Sequence, residues 1–131
     1  MKSSEINSVM KKYPLFQGVF PCDMIPLIEG EGGLIVNTDN SKEKGTHWVA
    51  LYTNGDGNIL YFDSFGLPPI VYEIIIYIKK FRECTYNTVQ IQDIYSSDCG
   101  ELCIAFLIYM FKGHSMAQFS TLAKKYLYNK M

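Results

Sequence analysis

The feature that constrains the fold most is a hairpin turn in the middle of the chain. Asn54-Gly55-Asp56-Gly57 separates two segments of strand-like composition, His47–Thr53 and Ile59–Ser64. Turns of the Asn-Gly and Asp-Gly kind are typical of antiparallel hairpins, because glycine readily adopts the left-handed backbone of a tight turn. The start of the first strand is therefore predicted to lie beside the end of the second. This pairing would bring His47 close to Asp63.

A cysteine stands where a predicted strand gives way to a predicted helix. The alternating run Asn87–Gln92 predicts the strand, and the apolar run that follows predicts a helix over Cys99–Lys112. Asp98 and Glu101 have the spacing of a capping box, which places Cys99 in the first helical turn. Unpaired backbone N–H groups and the helix dipole favour an anion there. The position is therefore expected to lower the pKa of the thiol and to favour a nucleophilic thiolate.

These residues together predict a thiol-based catalytic site. Asp63 beside His47 would fix the tautomer of the imidazole and support its protonated form. Protonated His47 would then stabilise the thiolate of Cys99, the predicted nucleophile. Acyl transfer also needs donors for an oxyanion, and the candidates are the backbone N–H of Cys99 and the side-chain amide of Gln92. Trp48 is predicted either to cover the imidazole or to pack in the core.

The other cysteines and the second histidine are predicted to be structural. Cys103 follows Cys99 by one helical turn and is flanked by apolar residues, which is typical of a buried thiol. His114 lies at a helix end and is expected to be solvated or to cap that helix. Cys22 and Cys84 are isolated, so the cysteine spacing gives no zinc pattern and no metal site is expected.

Length and composition predict one globular domain over residues 1–131, because 48% of the residues are hydrophobic and 19% are charged. The net charge of −1 and the scattered lysine pairs argue against nucleic-acid binding. The N-terminus lacks a signal-peptide layout, and the longest apolar run, Leu102–Phe111, is too short to cross a bilayer. We therefore expect an intracellular monomer with reduced thiols that is neither secreted nor bound to a membrane.

The remaining segments predict helices around a small sheet. Their arrangement predicts an α+β fold in which a small mixed or antiparallel sheet packs on a central helix that carries the nucleophile. For the three consecutive isoleucines of the second helix, a strand remains an alternative. The predicted elements are a helix over Ser4–Lys12, mostly loop over Phe16–Gly33, a strand at Leu34–Val36, a helix over Ile70–Phe81 and a terminal helix over Ser115–Asn129.

Three stretches in this order resemble the adenovirus protease (adenain) family. They are Gly45–Leu51, Tyr61–Gly66 and Gln92–Cys103, and Leu34–Thr38 resembles the preceding strand of that family. The likeness runs from about Phe16 to Phe111.

The resemblance implies a papain-like cysteine endopeptidase that needs no cofactor for its chemistry. In it His47 would be the base, Asp63 the acidic orienter, Gln92 the oxyanion glutamine and Cys99 the nucleophile. The acidic position is aspartate here, where adenain itself has glutamate, and the role survives that exchange.

The resemblance also implies substrates and activators. The substrates would be viral or virus-derived precursor proteins, cleaved at Gly-Gly or Gly-X sites during virion maturation, in the host nucleus or cytoplasm and in the virion. A viral activator peptide, held through a disulfide near Cys84, and DNA are further expectations, although the net charge of −1 argues against DNA. The same cleavage preference raises self-cleavage between Glu31 and Gly32 as a hypothesis.

Two other functions are compatible with these motifs. Ubiquitin-like-protein proteases, such as the SUMO proteases, share His-Trp, an Asp-Ser pair like Asp63-Ser64 and an Asp-Cys-Gly like Asp98–Gly100. The spacing of seven from Gln92 to Cys99 and the small size of the chain favour the adenain side. A catalytically silent binding module with the same fold is the other alternative, and the presence of all four active positions argues against it.

Overall fold

The computed structural model describes residues 1–39, 47–91 and 98–130, which form a five-stranded sheet and four helices. The strands are β1 (Phe16–Pro21), β2 (Glu31–Asn37), β3 (Trp48–Asn54), β4 (Asn58–Phe62) and β5 (Glu83–Tyr86), and the helices are α1 (Ser3–Met10), α2 (Tyr72–Ile78), α3 (Cys99–Phe111) and α4 (Met116–Lys130). The predicted α+β class is confirmed.

The sheet is mixed, with the strands in the order β1-β2-β3-β4-β5. β2, β3 and β4 pair antiparallel, whereas β1 and β5 are added in parallel at the two sides. The predicted hairpin is formed by β3 and β4, with Ala50 opposite Phe62 and Tyr52 opposite Leu60. Gly55 and Gly57 in its turn both have a φ of 92°, the left-handed conformation that glycine adopts without strain.

Each face of the sheet buries its own apolar cluster, because successive strand residues point to opposite sides. One face, with residues such as Ile35, Ala50 and Phe62, packs against α1, α3 and α4. The other face, with residues such as Leu51, packs against α2. Helix α3, which begins with Cys99, lies against the first face, as predicted. Among the described residues, no helix is long and apolar enough to span a bilayer.

The prediction of mostly loop over Phe16–Gly33 is correct for residues 22–30, but it is wrong for β1 and for the start of β2 at the two ends of this range. Glycine and proline usually indicate a loop, but two of these residues have other roles in the strands. Gly33 lies where a Cβ atom would stand 2.7 Å from Leu107 Cδ2, so the missing side chain permits the close approach of α3. Pro21 is the last residue of β1, a strand at the side of the sheet, where a missing N–H is tolerated.

The strand predicted over Asn87–Gln92 is also wrong for the part that is described. The fifth strand is instead Glu83–Tyr86, and the chain from Asn87 onward is held by the Asn87 side chain and by a backbone bond from Ile91 to Ser64. Gln92 itself lies outside the described residues.

The capping box predicted at the start of α3 is not formed. Asp98 occupies the N-cap position, but its side chain makes no capping hydrogen bond. Its ψ of 8° differs from the extended backbone that usually aims a capping side chain at the helix. The helix at α2 is confirmed, although it is shorter than predicted, and the alternative of a strand at its isoleucines is not observed.

Self-cleavage between Glu31 and Gly32 is not favoured by the fold. Both residues lie in β2, opposite Asn54 and Thr53 of β3. The bond is therefore held in the β2–β3 pairing, at the start of β2.

The aromatic cluster between the sheet and the helices gives a stability prediction. Phe106 is fully buried and stacks on Phe62 at 4.7 Å between ring centroids. We expect Phe106→Ala to lower the free energy of unfolding by about 3–5 kcal/mol, since it leaves a cavity in the core. Tyr72→Ala is the control, because Tyr72 is 71% exposed, and it should change the value by less than about 0.5 kcal/mol. Urea unfolding measures both, and equal effects would contradict the packing described.

Candidate active site

The hairpin brings His47 to Asp63, as predicted. His47 lies just before β3 and Asp63 just after β4, and Nε2 of the histidine is 2.9 Å from Oδ1 of the aspartate. A carboxylate can only accept, so Nε2 donates this hydrogen bond. Asp63 is 5% exposed, and its Oδ1 also accepts a bond of 2.9 Å from the backbone N–H of Phe65. The aspartate is thus fixed by two donors.

Cys99, the first residue of α3, is buried next to His47 and Trp48. Burial alone would raise the pKa of its thiol. Hydrogen bonds from the His47 side chain and the Trp48 backbone N–H outweigh this, with help from the positive charge of His47 and the backbone N–H of Gly100, so the pKa is lowered. Because Nε2 of His47 is bonded to Asp63, Nδ1 is the nitrogen left for the thiolate.

The imidazole of His47 is held in its protonated form. Burial by itself would lower its pKa, but the hydrogen bonds to Asp63 and Cys99 and the charges of both raise the pKa from 6.5 to about 9. At neutral pH these two shifts favour a Cys99 thiolate paired with an imidazolium. Such a pair supplies the nucleophile and the proton donor of acyl transfer in one contact.

The residue that covers the imidazole is Phe65 and not Trp48. The two rings stack with centroids 4.9 Å apart and planes inclined by 25°. Trp48 takes the predicted alternative and packs in the core, where its Nε1 donates to the carbonyl of Met1 at 3.0 Å. Extending the β3–β4 register from Ala50–Phe62 sets residue 65 opposite residue 47, so the hairpin contained a signal for Phe65.

A second residue missed by sequence reasoning is Asn87. It is 4% exposed, and its side chain bonds both the N–H and the carbonyl of Asp63. As a polar residue in an alternating run it carried no local signal, because its partner is 24 positions away.

Gly100 allows tight packing at the start of α3. A Cβ there would lie 3.0 Å from Cβ of Met1 and 3.3 Å from Cδ1 of Trp48. The missing side chain therefore lets the indole of Trp48 and the N-terminal residue lie against the helix beside Cys99.

The other thiols lack these features. All four cysteines lie in the described residues, and none forms a disulfide. Burial raises the pKa of Cys103 well above its ordinary value, and it also raises the pKa of Cys84. Burial and a hydrogen bond to Glu73 raise the pKa of Cys22 to about 11. Cys103 is fully buried, as predicted.

Two predictions about the rest of the site have different outcomes. His114 is exposed and lies against Tyr109, well separated in sequence from the hairpin, in agreement with a structural role. Gln92, the predicted oxyanion donor, lies outside the described residues, and its role stays a prediction. The structure thus brings together His47, Asp63 and Cys99 of the four predicted site residues.

Comparison with known proteins gives a match in structure alone. No protein-family model matches the sequence, and no curated protein matches it. A crystal structure of the ASFV pS273R protease is similar, with a TM-score of 0.65 and 17% identity over 90% of this chain and 58% of that chain. Its Se-Met form gives a TM-score of 0.61 and 17% identity over 90% of this chain and 59% of that chain. This chain thus spans a little over half of the protease, and the likeness confirms the predicted papain-like fold.

The raised pKa of His47 can be measured directly. The chain has two histidines, His47 and His114, so a proton NMR titration should show two Hε1 ring signals. We expect the His47 signal to titrate near pH 9. In Asp63→Asn it should titrate at clearly lower pH, because the imidazolium loses its carboxylate. The His114 signal is the internal control and should behave alike in the wild type and the variant, and a His47 signal unaffected by Asp63→Asn would contradict the pairing.

Proposed function

We propose that this chain is a cysteine endopeptidase that uses Cys99 as nucleophile and His47 as general acid and base. The observation that carries the proposal is the thiol in the first turn of α3, hydrogen-bonded to a histidine that a buried aspartate orients. The shared fold with the ASFV pS273R protease and the motifs that resemble adenain support the same reaction class.

In the proposed reaction the Cys99 thiolate attacks the carbonyl carbon of a peptide bond. The oxyanion that forms would accept hydrogen bonds from the backbone N–H of Cys99 and from the amide of Gln92. The His47 imidazolium gives its proton to the leaving amine, and the C–N bond breaks to leave a thioester. Neutral His47 then removes a proton from water, whose oxygen attacks the thioester. The thiolate leaves and the carboxylic acid product departs.

Asp63 would act through His47 and does not touch the substrate. Its bond to Nε2 keeps Nδ1 turned toward the thiolate, and it stabilises the imidazolium before the first step and again when the second step re-forms it. Phe65 would cover the ring and limit the access of water to it.

The proposed substrates are viral or virus-derived precursor proteins, cleaved at Gly-Gly or Gly-X sites inside the host cell or in the virion. This part rests on the motif resemblance. The chemistry needs no cofactor, and we propose a monomer. A viral activator peptide at Cys84 and stimulation by DNA remain proposals from the same resemblance. Cys84 is only partly buried in β5, although burial raises the pKa of its thiol, which slows disulfide exchange at neutral pH.

The cysteine variants test the nucleophile. Cys99→Ala should abolish cleavage of a Gly-Gly-type peptide while circular dichroism shows an intact fold. Cys103→Ala is the matched control one helical turn away, and it should keep activity, since Cys103 is buried in the core. Full activity of Cys99→Ala, or inactivation by iodoacetamide through labelling of another cysteine, would refute the mechanism.

The base and the oxyanion donor are tested by a second pair of variants. His47→Ala should lose as much activity as Cys99→Ala. The thiolate would lose the imidazolium that stabilises it, and the leaving amine would lose its proton donor. Gln92→Ala should lower kcat by about 10²-fold or more with little change in KM, since an oxyanion donor acts in the transition state. A Gln92→Ala enzyme with unchanged kcat would remove Gln92 from the mechanism.

A comparison of substrates separates the alternatives. The wild-type chain is incubated with a Gly-Gly-type peptide, a SUMO conjugate and a ubiquitin conjugate. Cleavage of the peptide supports the endopeptidase, and cleavage of conjugates alone would assign a ubiquitin-like-protein protease. If iodoacetamide labels Cys99 no faster than the exposed thiol of glutathione at pH 7, Cys99 is not activated. The chain would then be a catalytically silent binding module.

A further inference from the structure

Asn87 is bound to the backbone of Asp63 in both directions. Its Oδ1 accepts the Asp63 N–H at 3.0 Å, and its Nδ2 donates to the Asp63 carbonyl at 2.7 Å. The same Nδ2 donates to the carbonyl of Val89 at 3.2 Å. Asn87 is only 4% exposed, so water cannot readily replace any of these hydrogen bonds. One side chain thus fastens the residue that orients His47 to the segment that follows β5.

Two further contacts join the same parts of the chain. The backbone N–H of Ile91 donates to the carbonyl of Ser64 at 2.7 Å. Gly66 has a φ of +72°, and a Cβ on it would lie 2.7 Å from the carbonyl carbon of Val89. The turn after β4 therefore lies directly on the segment 87–91. Ile91 is the residue before Gln92 in the sequence.

The position of the Asp63 carboxylate depends on this contact. The Asp63 side chain is short, so its backbone determines where the carboxylate lies. Oδ1 of this carboxylate is shared between His47 Nε2 and the N–H of Phe65. A displacement of that backbone lengthens the bond to His47, and hydrogen bonds weaken steeply beyond their usual range. Loss of the Asn87 amide would also take the side-chain acceptor from the buried N–H of Asp63 and one donor from its carbonyl, which keeps the Gly66 N–H at 2.8 Å, and this favours such a displacement.

We propose that Asn87 is a positioning residue, which fixes Asp63 against His47 and, through the same amide, holds the segment that leads to Gln92. This inference rests on the proposed function, because it assigns Asn87 a part in that site. It differs from a role in stability alone, since it requires the contact between Cys99 and His47 to change when the amide is removed.

The test compares Asn87→Ser with Asn58→Ser. Asn58 lies at the opposite end of β4, where its Nδ2 donates to Asp56, so the control removes an amide donor far from His47. Rates of Cys99 alkylation by iodoacetamide are followed by mass spectrometry between pH 5 and pH 10, and the two histidine signals are titrated by NMR. Both variants are studied at a temperature where circular dichroism shows them folded.

In Asn87→Ser the His47 signal should titrate at lower pH than in the wild type. Of the titratable groups that contact His47, Asp63 and Cys99 are the two whose charges raise its pKa, and the variant displaces the first. The positive charge of His47 beside the Cys99 thiolate is then partly lost. Alkylation of Cys99 at pH 7 should therefore slow by about tenfold. Asn58→Ser and the His114 signal should match the wild type.

A second variant perturbs the contact without removing a buried hydrogen bond. Gly66→Ala forces the turn away from Val89, because the added Cβ meets backbone and not a movable side chain. It should shift the His47 titration and the alkylation rate in the same direction, and it decides the question if Asn87→Ser does not fold.

The outcomes separate this inference from the proposed function. A wild-type Cys99 that is no more reactive than Cys84 would overturn the proposed function and this inference with it. A reactive wild-type Cys99, together with unchanged titration and alkylation in Asn87→Ser and in Gly66→Ala, would overturn the inference alone.

Discussion

The hydrogen bond between His47 and Asp63 is the interaction on which the rest of the site depends. A carboxylate that is 5% exposed needs donors in place of water, and Asp63 finds them in the His47 ring and the Phe65 backbone. The bond uses Nε2 and so directs Nδ1 to Cys99. It also requires the ends of β3 and β4 to stay in register, since the two residues flank those strands. The hairpin is thus the scaffold of the acid–base pair.

Cys99 belongs to a different layer of the molecule, the helix α3. α3 is apolar on most of its surface and packs against the sheet face that contains Ala50 and Phe62, which fixes its direction. Glycines at the two contact surfaces, Gly33 under the end of α3 and Gly100 at its start, permit the short distances that this packing needs. The helix begins where β3 begins, so Cys99 meets the first residues of the hairpin. Core packing and the hairpin register therefore determine the site together.

Sequence reasoning succeeded where the determinants are local. The hairpin, the helix α3 and the pairing of His47 with Asp63 follow from turn residues and apolar runs, and the structure contains all three. It failed where residues are used for tertiary contacts. Gly33 makes room for α3 and does not mark a loop. The run from Asn87 has strand composition, yet its asparagine binds Asp63 across 24 positions, and no local pattern contains that partner.

The structure also changes which element activates the thiol. The sequence attributes the lowered pKa of Cys99 first to the helix that carries it, through unpaired N–H groups and the dipole. In the structure burial opposes ionisation, and the strongest opposing contributions come from the His47 side chain and the Trp48 backbone N–H, ahead of the N–H of Gly100 in α3. His47 and Trp48 both belong to the start of β3. The thiolate is therefore stabilised mainly by the hairpin, so its reactivity follows the geometry of the β3–β4 ends and the residues that hold them, and α3 contributes chiefly by placing the sulfur there.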